Sequence, residues 1–265
     1  MRTATFLLVT ISITAHAQVI TPRSGAPQIL IPAAGFVNGA NGEVFRSDIA
    51  VFNYRVVDQI VQFRWLPQGA SGVDVAPVQI TMRGLSGVSS EDFVTTILHQ
   101  SGLGAVLITG MTSAGLQDSG ANLVATSRIW TNQPGSNGTV SQTLPILSTA
   151  DMTSSSSLAI EGLRRDSRYR VNAGVVNLDA SAHTFRIAIG TVMATQELVD
   201  VSVPPLSMRQ VSLPGAASDP LQIFVTNLEN VSTPTVSNWT AYGSSVDNVT
   251  GDSWSAIGFV VKVFP

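Results

Sequence analysis

The length, composition and charge of the chain exclude several classes of protein. It has 265 residues, of which 44% are hydrophobic but only 12% are charged, with a formal net charge of −3 and no cysteine. A net negative charge gives no electrostatic basis for binding nucleic acid, and a chain without cysteine can have neither a disulfide framework nor thiol chemistry. The length predicts one large domain or two ordinary ones.

The N-terminus has the features of a secretory leader. Met1-Arg2 gives a positive start, residues 6–13 are mostly apolar, and Ala15-His16-Ala17 is a small-x-small cleavage site. The apolar run is too short to span a membrane, which favours a cleaved signal peptide over residues 1–17. No later segment has the ~18 consecutive apolar residues of a transmembrane helix. We therefore expect a secreted, periplasmic or cell-surface protein after cleavage near Ala17, without a membrane span.

Alternation of apolar and polar side chains is typical of half-buried strands and dominates the rest of the chain. In the first half, Val61, Phe63 and Trp65 alternate with polar residues, and all three are expected to face a core. Ser90 to Gln100 reads instead as a short helix, because Phe93 and Ile97 are spaced i, i+4 and Gly102 follows. The other strands of this half are predicted at 29–31, 45–53, 78–82, 106–109, 123–128 and 140–146.

The second half repeats the pattern of the first. Phe45-Arg46-x-Asp48 begins a strand that ends at Asn53, and Tyr169-Arg170-x-Asn172 begins one that ends at Asn177. We interpret both terminal asparagines as turn residues that tolerate positive φ. Further strands are predicted at 183–189, 206–209, 223–226, 239–244 and 256–263, with the strand at 206–209 as the counterpart of 78–82. The sequence thus predicts about seven strands per copy, in domains 18–150 and 156–265 joined by the Ser/Thr-rich run at 151–157.

The order of these motifs resembles that of a known class. Ile-Pro-Ala-Ala-Gly at 31–35, the aromatic-Arg-x-Asp/Asn starts and the closing Val-Asp-Asn-Val-Thr-Gly-Asp at 246–252 are similar to tandem immunoglobulin-like β-sandwich repeats of bacterial secreted and surface proteins. The resemblance covers nearly the whole mature chain. It implies an all-β fold of two tandem antiparallel sandwiches, with one short helix in the first. Most such repeats have no assigned activity, so the resemblance implies a compartment and a fold, not a substrate.

Three residues are candidates for ligand binding. Arg46 and Arg170 open equivalent strands, and each is either a ligand-binding cation or a structural arginine laid along its strand. Trp130 precedes a turn, where it is either a stacking platform for sugar rings or part of the packing. The basic run at 164–170 could hold an acidic group, or it forms a solvated loop with Asp166 as its internal partner.

Catalytic and metal-binding motifs are sparse. His99 and His183 are expected to face solvent, and no Gly-x-Ser-x-Gly nucleophile motif accompanies them. Asp247 and Asp252 flank a Gly-containing turn that offers hard oxygen ligands for Ca²⁺. The first copy keeps the Asn and Gly of this turn but not its carboxylates, which favours turn geometry over a metal site.

The sequence therefore predicts a non-catalytic secreted structural or adhesion-type protein, with no cofactor and with a surface protein or a glycan as partner. One alternative is a carbohydrate-binding module, which Trp130 and the turn-rich ends of the units suggest. The other is a secreted hydrolase that uses the carboxylates of Asp247 and Asp252, which would have to lie about 5–9.5 Å apart around a cleft.

Overall fold

The computed structural model describes residues 25–39, 42–133, 135, 137–149, 152, 157–191, 194–213, 221–229 and 238–260. The predicted leader lies outside these residues. Of the predicted linker, only residues 152 and 157 are described, so the domain bounds stay a prediction. The described chain is all-β and built of antiparallel sheets, as the alternation predicted. No helix in the described residues is long and apolar enough to cross a membrane.

The first unit contains nine strands and one short helix among the described residues. These are β1 Gln28–Asn38, β2 Val44–Asn53, β3 Gln59–Pro67, β4 Val78–Met82, β5 Ser86–Ser90, α1 Phe93–Thr96, β6 Gly102–Met111, β7 Leu123–Asn132, β8 Thr139–Thr143 and β9 Leu147–Ser148. The second unit contains nine strands in its described part. These are β10 Ser157–Leu163, β11 Tyr169–Asn177, β12 His183–Thr191, β13 Ala194–Val203, β14 Ser207–Leu213, β15 Leu221–Asn227, β16 Trp239–Asp247, β17 Ser253–Ile257 and β18 Phe259–Val260.

The two units have the same strand order. In the first, β4-β3-β6-β1-β9 and β5-β2-β7-β8 are neighbours, and the end of β1 also pairs with β2 at Val37 and Asn38. In the second, the orders are β13-β12-β15-β10-β18 and β14-β11-β16-β17. Each strand of the first unit thus has one counterpart in the second. The internal repeat that the sequence predicted is therefore confirmed at the level of strand pairing.

This order corrects two predictions for the first unit. The counterpart of β14 is β5, not the strand at 78–82, because β5 and β14 occupy the same place beside β2 and β11. The predicted helix at 90–100 shrinks to α1 because Ser90 belongs to β5, and because His99, at φ 54°, takes the left-handed conformation that ends the segment. Its apolar residues Phe93 and Val94 are buried.

Each unit buries the facing side chains of its two sheets in one apolar core. In the first unit, Val61, Phe63 and Trp65 of β3 lie in this core, so their predicted inward orientation is confirmed. The expected hairpin between this strand and the strand at 45–53 is wrong, because β3 pairs with β4 and β6 whereas β2 pairs with β5 and β7. The second core takes Phe185, Ile187 and Ile189 from β12 at the equivalent positions. Phe63 is fully buried and its ring lies 5.4 Å from that of Phe93.

A third buried cluster joins the two units, and we call it the inter-unit joint. It consists of Leu30, Ala33, Leu66, Ala105, Leu144 and Leu147 from the first unit and Val176, Met208 and Tyr242 from the second. Two backbone hydrogen bonds cross beside it, from the Gly69 amide to the Met208 carbonyl (2.9 Å) and from the Gly72 amide to the Pro205 carbonyl (3.0 Å). The outer face of the β4-β3-β6-β1-β9 sheet thus packs against the outer face of the β14-β11-β16-β17 sheet.

Tyr242 is the largest side chain of the joint. It is 1% exposed, and this burial raises the pKa of its hydroxyl well above the usual range. The hydroxyl donates a hydrogen bond of 2.8 Å to Oε1 of Gln210. Gly174 lies beneath the ring on the neighbouring strand, where any Cβ would be 2.2 Å from the ring atoms Cε1 and Cζ. The glycine is therefore required by the packing of this ring.

Candidate functional site

The two asparagines that end β2 and β11 are turn residues, as predicted, because the Oδ1 atom of each accepts a hydrogen bond from the amide two residues on, from Arg55 (3.0 Å) and from Asp179 (2.9 Å). Asn53 Nδ2 donates to the carbonyls of Val57 (2.9 Å) and Arg83 (3.1 Å), and Asn177 Nδ2 donates to those of Ser181 (2.8 Å) and Pro204 (3.0 Å). Both side chains are fully buried. Neither asparagine uses the positive φ that its residue type tolerates; each is fixed by its hydrogen bonds.

Each buried asparagine holds together a bend of the chain, which we call a corner. The residue with a left-handed backbone in each corner is a leucine. Leu85 has φ 52° and Leu206 has φ 47°. Their amides donate to the carbonyls of Arg55 (2.8 Å) and Asp179 (2.9 Å), each two residues after the buried asparagine. The same corner therefore occurs in both units, and its shared hydrogen bond identifies Leu85 and Leu206 as equivalent positions.

His183 is buried, not solvent-facing as predicted. It is 5% exposed, with Nε2 3.1 Å from the Asp179 carboxylate and Nδ1 in contact with the Glu229 carboxylate. The equivalent residue of the first unit, Gln59, accepts a hydrogen bond from Arg55. Both ring nitrogens have carboxylate partners rather than a hydroxyl nucleophile. His183 therefore belongs to the structure of the second unit, and His99 is exposed as predicted.

The structure brings Trp130 and Arg46 together. They are direct partners in the β2–β7 pair, and the Arg46 guanidinium lies 5.5 Å from the centre of the Trp130 ring. The guanidinium of Arg128 lies 6.0 Å from the same ring, and the indole N–H donates to the Glu91 carbonyl (3.0 Å). Two cations thus occupy the surroundings of the ring in cation–π geometry. A sugar that stacked on Trp130 would have to displace them.

Arg170 lies apart from this pair, at a cleft between the two units that we call the inter-unit cleft. The cleft has a volume of about 380 Å³, and its lining includes Phe45, Thr131 and Gln142 of the first unit and Arg170, Asn172 and Gln210 of the second. This volume is within the range of small-ligand sites, which often lie at domain interfaces. The cleft combines a cation, four amide side chains, the carboxylates of Glu43 and Asp247 and an aromatic ring.

The guanidinium of Arg170 is exposed and held in position by an amide. Its Nη1 donates to Oδ1 of Asn248 at 2.7 Å. Among the described residues, no carboxylate lies within ion-pair distance of it. Arg170 is thus a positioned cation whose remaining N–H groups can bind an acidic group of a ligand.

Asp247 also lines the cleft, but its charge is neutralised. Oδ2 accepts hydrogen bonds from Nε (2.9 Å) and Nη2 (2.6 Å) of Arg168, and Oδ1 accepts one from the Val249 amide (2.8 Å). The hydrogen bond with Arg168 holds the pKa of this carboxyl well below its usual range. A general acid of a glycosidase needs the opposite shift. The arrangement therefore gives no support to hydrolysis at Asp247.

The two carboxylates of the candidate calcium turn have separate partners. Asp252 is exposed, and its Oδ1 accepts from the Ser253 amide (3.0 Å), whereas both oxygens of Asp247 are bonded as described above. Gly251 has φ 76°, the left-handed conformation that glycine adopts without strain. In the described part of the chain, no three His, Asp or Glu side chains are grouped so that they could hold a metal ion.

Sequence reasoning identified Arg170 but not the site that contains it. The cleft forms only where the two units meet, so Phe45 and Gln142 carry no local signal that places them beside Arg170. Of the basic run, Asp166 is the internal partner as predicted, since it accepts from Arg164 Nε (2.6 Å), but Arg165 is buried rather than solvated. Comparison of the chain with protein-family models, curated proteins and solved structures found no match.

Proposed function

We propose that the chain is a non-catalytic structural or adhesion-type protein of the bacterial envelope or exterior, in which the two units form one rigid spacer. The inter-unit joint is the observation that supports this best. A large apolar interface restrains the relative motion of two domains, whereas small polar ones permit it. Leu30, Leu66 and Met208 are fully buried, like the residues of the two cores. Such complete burial is typical of a permanent contact.

We also infer that each unit is an immunoglobulin-like β-sandwich. The pairs β2–β5 and β3–β6 correspond to the neighbours B–E and C–F of the immunoglobulin order. The outer strands differ: β1 lies beside β6 and β7 beside β2, where that order has the last strand beside F and the first beside B. The likeness is therefore one of architecture, with the first and last strands exchanged between sheets.

The polar clusters of the described residues support a non-catalytic role, because their contacts are accounted for by the fold. The buried asparagines close the corners, and Asp247 and Arg168 fix the turn between β16 and β17. His183 is held between two carboxylates rather than beside a nucleophile. Catalysis by general acids and bases needs a group that can exchange a proton with substrate.

Two measurements test the proposal. Fractionation of the producing cells, with protease added to the intact cells, should find the chain outside the cytoplasm and without residues 1–17. Small-angle scattering of the processed protein should fit one rigid particle with the two units in fixed contact. A cytoplasmic protein that retains its leader, or a scattering curve that requires freely moving units, would contradict it.

A second candidate function is the binding of acidic glycans at the inter-unit cleft. Arg170 carries this candidate, because it is a positioned cation without a described carboxylate partner, in a cleft whose lining includes four amide side chains as well as the carboxylates of Glu43 and Asp247. Amide and guanidinium groups are suited to hydroxyl and carboxylate groups of a uronic acid. Trp130 does not line the cleft, so stacking on that residue is not part of this candidate.

A glycan array that includes neutral and carboxylated sugars tests the second candidate. We expect the wild-type protein to bind carboxylated glycans and the variant Arg170→Gln to lose this binding. Arg46→Gln is the matched control, since Arg46 begins the equivalent strand but lies outside the cleft. If no glycan binds, or if Arg46→Gln has the same effect as Arg170→Gln, the cleft is not a glycan site.

A further inference from the structure

His183 joins two parts of the second unit that are distant in the chain. Its Nε2 lies 3.1 Å from Oδ2 of Asp179, in the corner that follows β11, and its Nδ1 is in contact with Oε2 of Glu229, beyond the end of β15. The ring is buried, whereas the two carboxylates are partly exposed. We call these three side chains the histidine clasp.

The histidine clasp is complete only when its ring is charged. A charged imidazole donates from both nitrogens, whereas a neutral one has a single N–H and a lone pair on the other nitrogen. A neutral ring would therefore point a lone pair at a carboxylate oxygen, and that contact would have no hydrogen to share. The charged ring satisfies both contacts and offsets negative charge on either side of it, so a proton is part of this arrangement.

Among the described residues, no other ionisable side chain faces this ring. Its aromatic neighbour is Phe185, with 6.3 Å between the ring centres. Strand β15 has no ionisable side chain, and β11 has Tyr169 and Arg170 only at the end far from the corner. Arg186 of β12 is exposed and bonded to Asp200 of β13. Deprotonation would therefore leave two carboxylates on either side of a neutral, buried ring.

The first unit has a clasp at the same place that keeps its charge near neutral pH. Counted from the buried asparagines, Arg55 and Gln59 occupy the positions of Asp179 and His183. Nη1 of Arg55 donates to Oε1 of Gln59 (2.8 Å) and to Oδ2 of Asp118 (2.6 Å), in the loop after β6. Because an arginine in a protein stays protonated, this clasp is permanent. The repeat thus contains one fixed and one titratable version of the same connection.

The corner that the histidine clasp holds also reaches the inter-unit joint. The Asp179 carbonyl accepts a hydrogen bond from the Leu206 amide (2.9 Å), and both Leu178 and Leu206 pack against the joint. The carbonyl of the adjoining Pro205 accepts a hydrogen bond from the Gly72 amide of the first unit (3.0 Å). A change in the contacts of Asp179 is therefore close enough to affect how the two units hold each other.

We propose that His183 is a pH-sensitive switch of the second unit. With its second proton the ring ties the corner to the loop after β15, and without it one of the two carboxylates is released. Histidine is the side chain that changes charge between about pH 5 and 8. Stability that depends on the charged ring is present at the acidic end of this range and is lost as the pH rises. The inference does not depend on the proposed function, because the clasp lies within the second unit wherever the protein is located.

The test is a series of melting curves of the processed full-length chain between about pH 5.5 and 8.5. We expect the Tm of the wild type to fall by about 3–10 °C over this range, as loss of a hydrogen bond to a charged group does. His183→Gln introduces the residue type of the equivalent Gln59 and should remove this pH dependence. His99→Asn is the matched control, because His99 is exposed and has the positive φ of 54° that asparagine tolerates. It should keep the pH dependence of the wild type.

Nuclear magnetic resonance of the imidazole C–H groups separates the switch from a general effect of pH. The wild-type ring signal that the His99→Asn variant retains belongs to His183, and its chemical shift should change over the same pH interval in which the Tm falls. Asp179→Asn and Glu229→Gln should each reduce the pH dependence of the Tm, because either leaves the ring with one carboxylate partner.

The inference is overturned if the wild-type Tm is constant over this interval, or if His183→Gln keeps the pH dependence or His99→Asn loses it. If His183→Gln does not fold, the ring titration of the wild type decides. A ring that keeps one charge state while the Tm falls overturns the inference.

Discussion

Replacement of Gly174 by alanine tests how tightly the inter-unit joint is packed. The added methyl would lie 2.2 Å from Cε1 and Cζ of Tyr242 and 2.6 Å from its hydroxyl oxygen. Carbon atoms in favourable contact are about 3.5–4.0 Å apart, so the ring would have to move by more than about 1 Å. Tyr242 is 1% exposed and its hydroxyl is bonded to Gln210, so any movement of the ring disturbs buried contacts. We therefore expect the substitution to strain the joint rather than a single side chain.

The expected loss of stability follows from two opposing effects. Overpacking of a well-packed core costs about 1–3 kcal/mol. Removal of a glycine from a strand returns about 0.5–1 kcal/mol, because the unfolded chain loses conformational freedom. The net free energy of unfolding should thus fall by about 0.5–2 kcal/mol. For a protein of this size, this corresponds to a Tm lower by about 1–8 °C.

A double-mutant cycle with Tyr242→Leu isolates the contact. Differential scanning calorimetry and urea melts of the wild type, both single variants and the double variant give the four free energies. If the tyrosine ring causes the strain, Gly174→Ala should be neutral or stabilising in the Tyr242→Leu background, because the methyl then enters space that the ring has left. An equal cost in both backgrounds would refute the reasoning and show that the backbone, not the ring, limits this position.

Three further predictions concern the first core and the turn between β16 and β17. Phe63→Ala should lower the free energy of unfolding by about 3–5 kcal/mol in denaturant melts, because the ring is fully buried, and a change under about 1 kcal/mol would contradict this. The pKa of the Asp247 carboxyl is lowered by its hydrogen bond with Arg168, so the stability that it contributes is present above the unfolded value of 3.8 and is lost as the pH falls through the folded value. The Tm of the wild type should therefore decline more steeply below about pH 4 than that of Asp247→Asn, and parallel curves would oppose this assignment. Gly251→Val should lower the Tm because a β-branched residue resists φ 76°, whereas millimolar Ca²⁺ should leave the Tm where EDTA leaves it; a calcium-dependent rise that Asp247→Ala abolishes would restore the metal site.

The sequence predicted the elements in which alternation is strong and local. Val61, Phe63 and Trp65 alternate with polar residues, so this strand and its buried face could be read directly, but its partner strands could not. Strand β5 was missed because Val88 is its only large apolar side chain, and the equivalence of 78–82 with 206–209 was wrong for the same reason. Strand β13 has a clear alternation at Val199, Val201 and Val203, so its omission was avoidable.

The candidate site was predictable only in part, because it depends on contacts distant in the chain. Arg170 was identified by its equivalence to Arg46, but the two arginines differ in surroundings: one lies against Trp130 and the other at the cleft. The ion pair of Arg168 and Asp247 joins residues on different strands, which no spacing rule connects. His183 was assigned to the surface because nothing in its sequence neighbourhood indicates that Glu229 would cover it.

The geometry of the inter-unit joint has a consequence for how such a chain can grow in evolution. A joint between two identical faces is complete with two units, since each has used its only adhesive surface. A joint between two different faces leaves the last unit with an unused sheet of the same strand order as the one that the first unit uses. Gene duplication can then lengthen the protein one unit at a time on the same strand order, and only the side chains of the new contact have to evolve. The number of units becomes a matter of copy number, and the length of the molecule changes in steps of one unit.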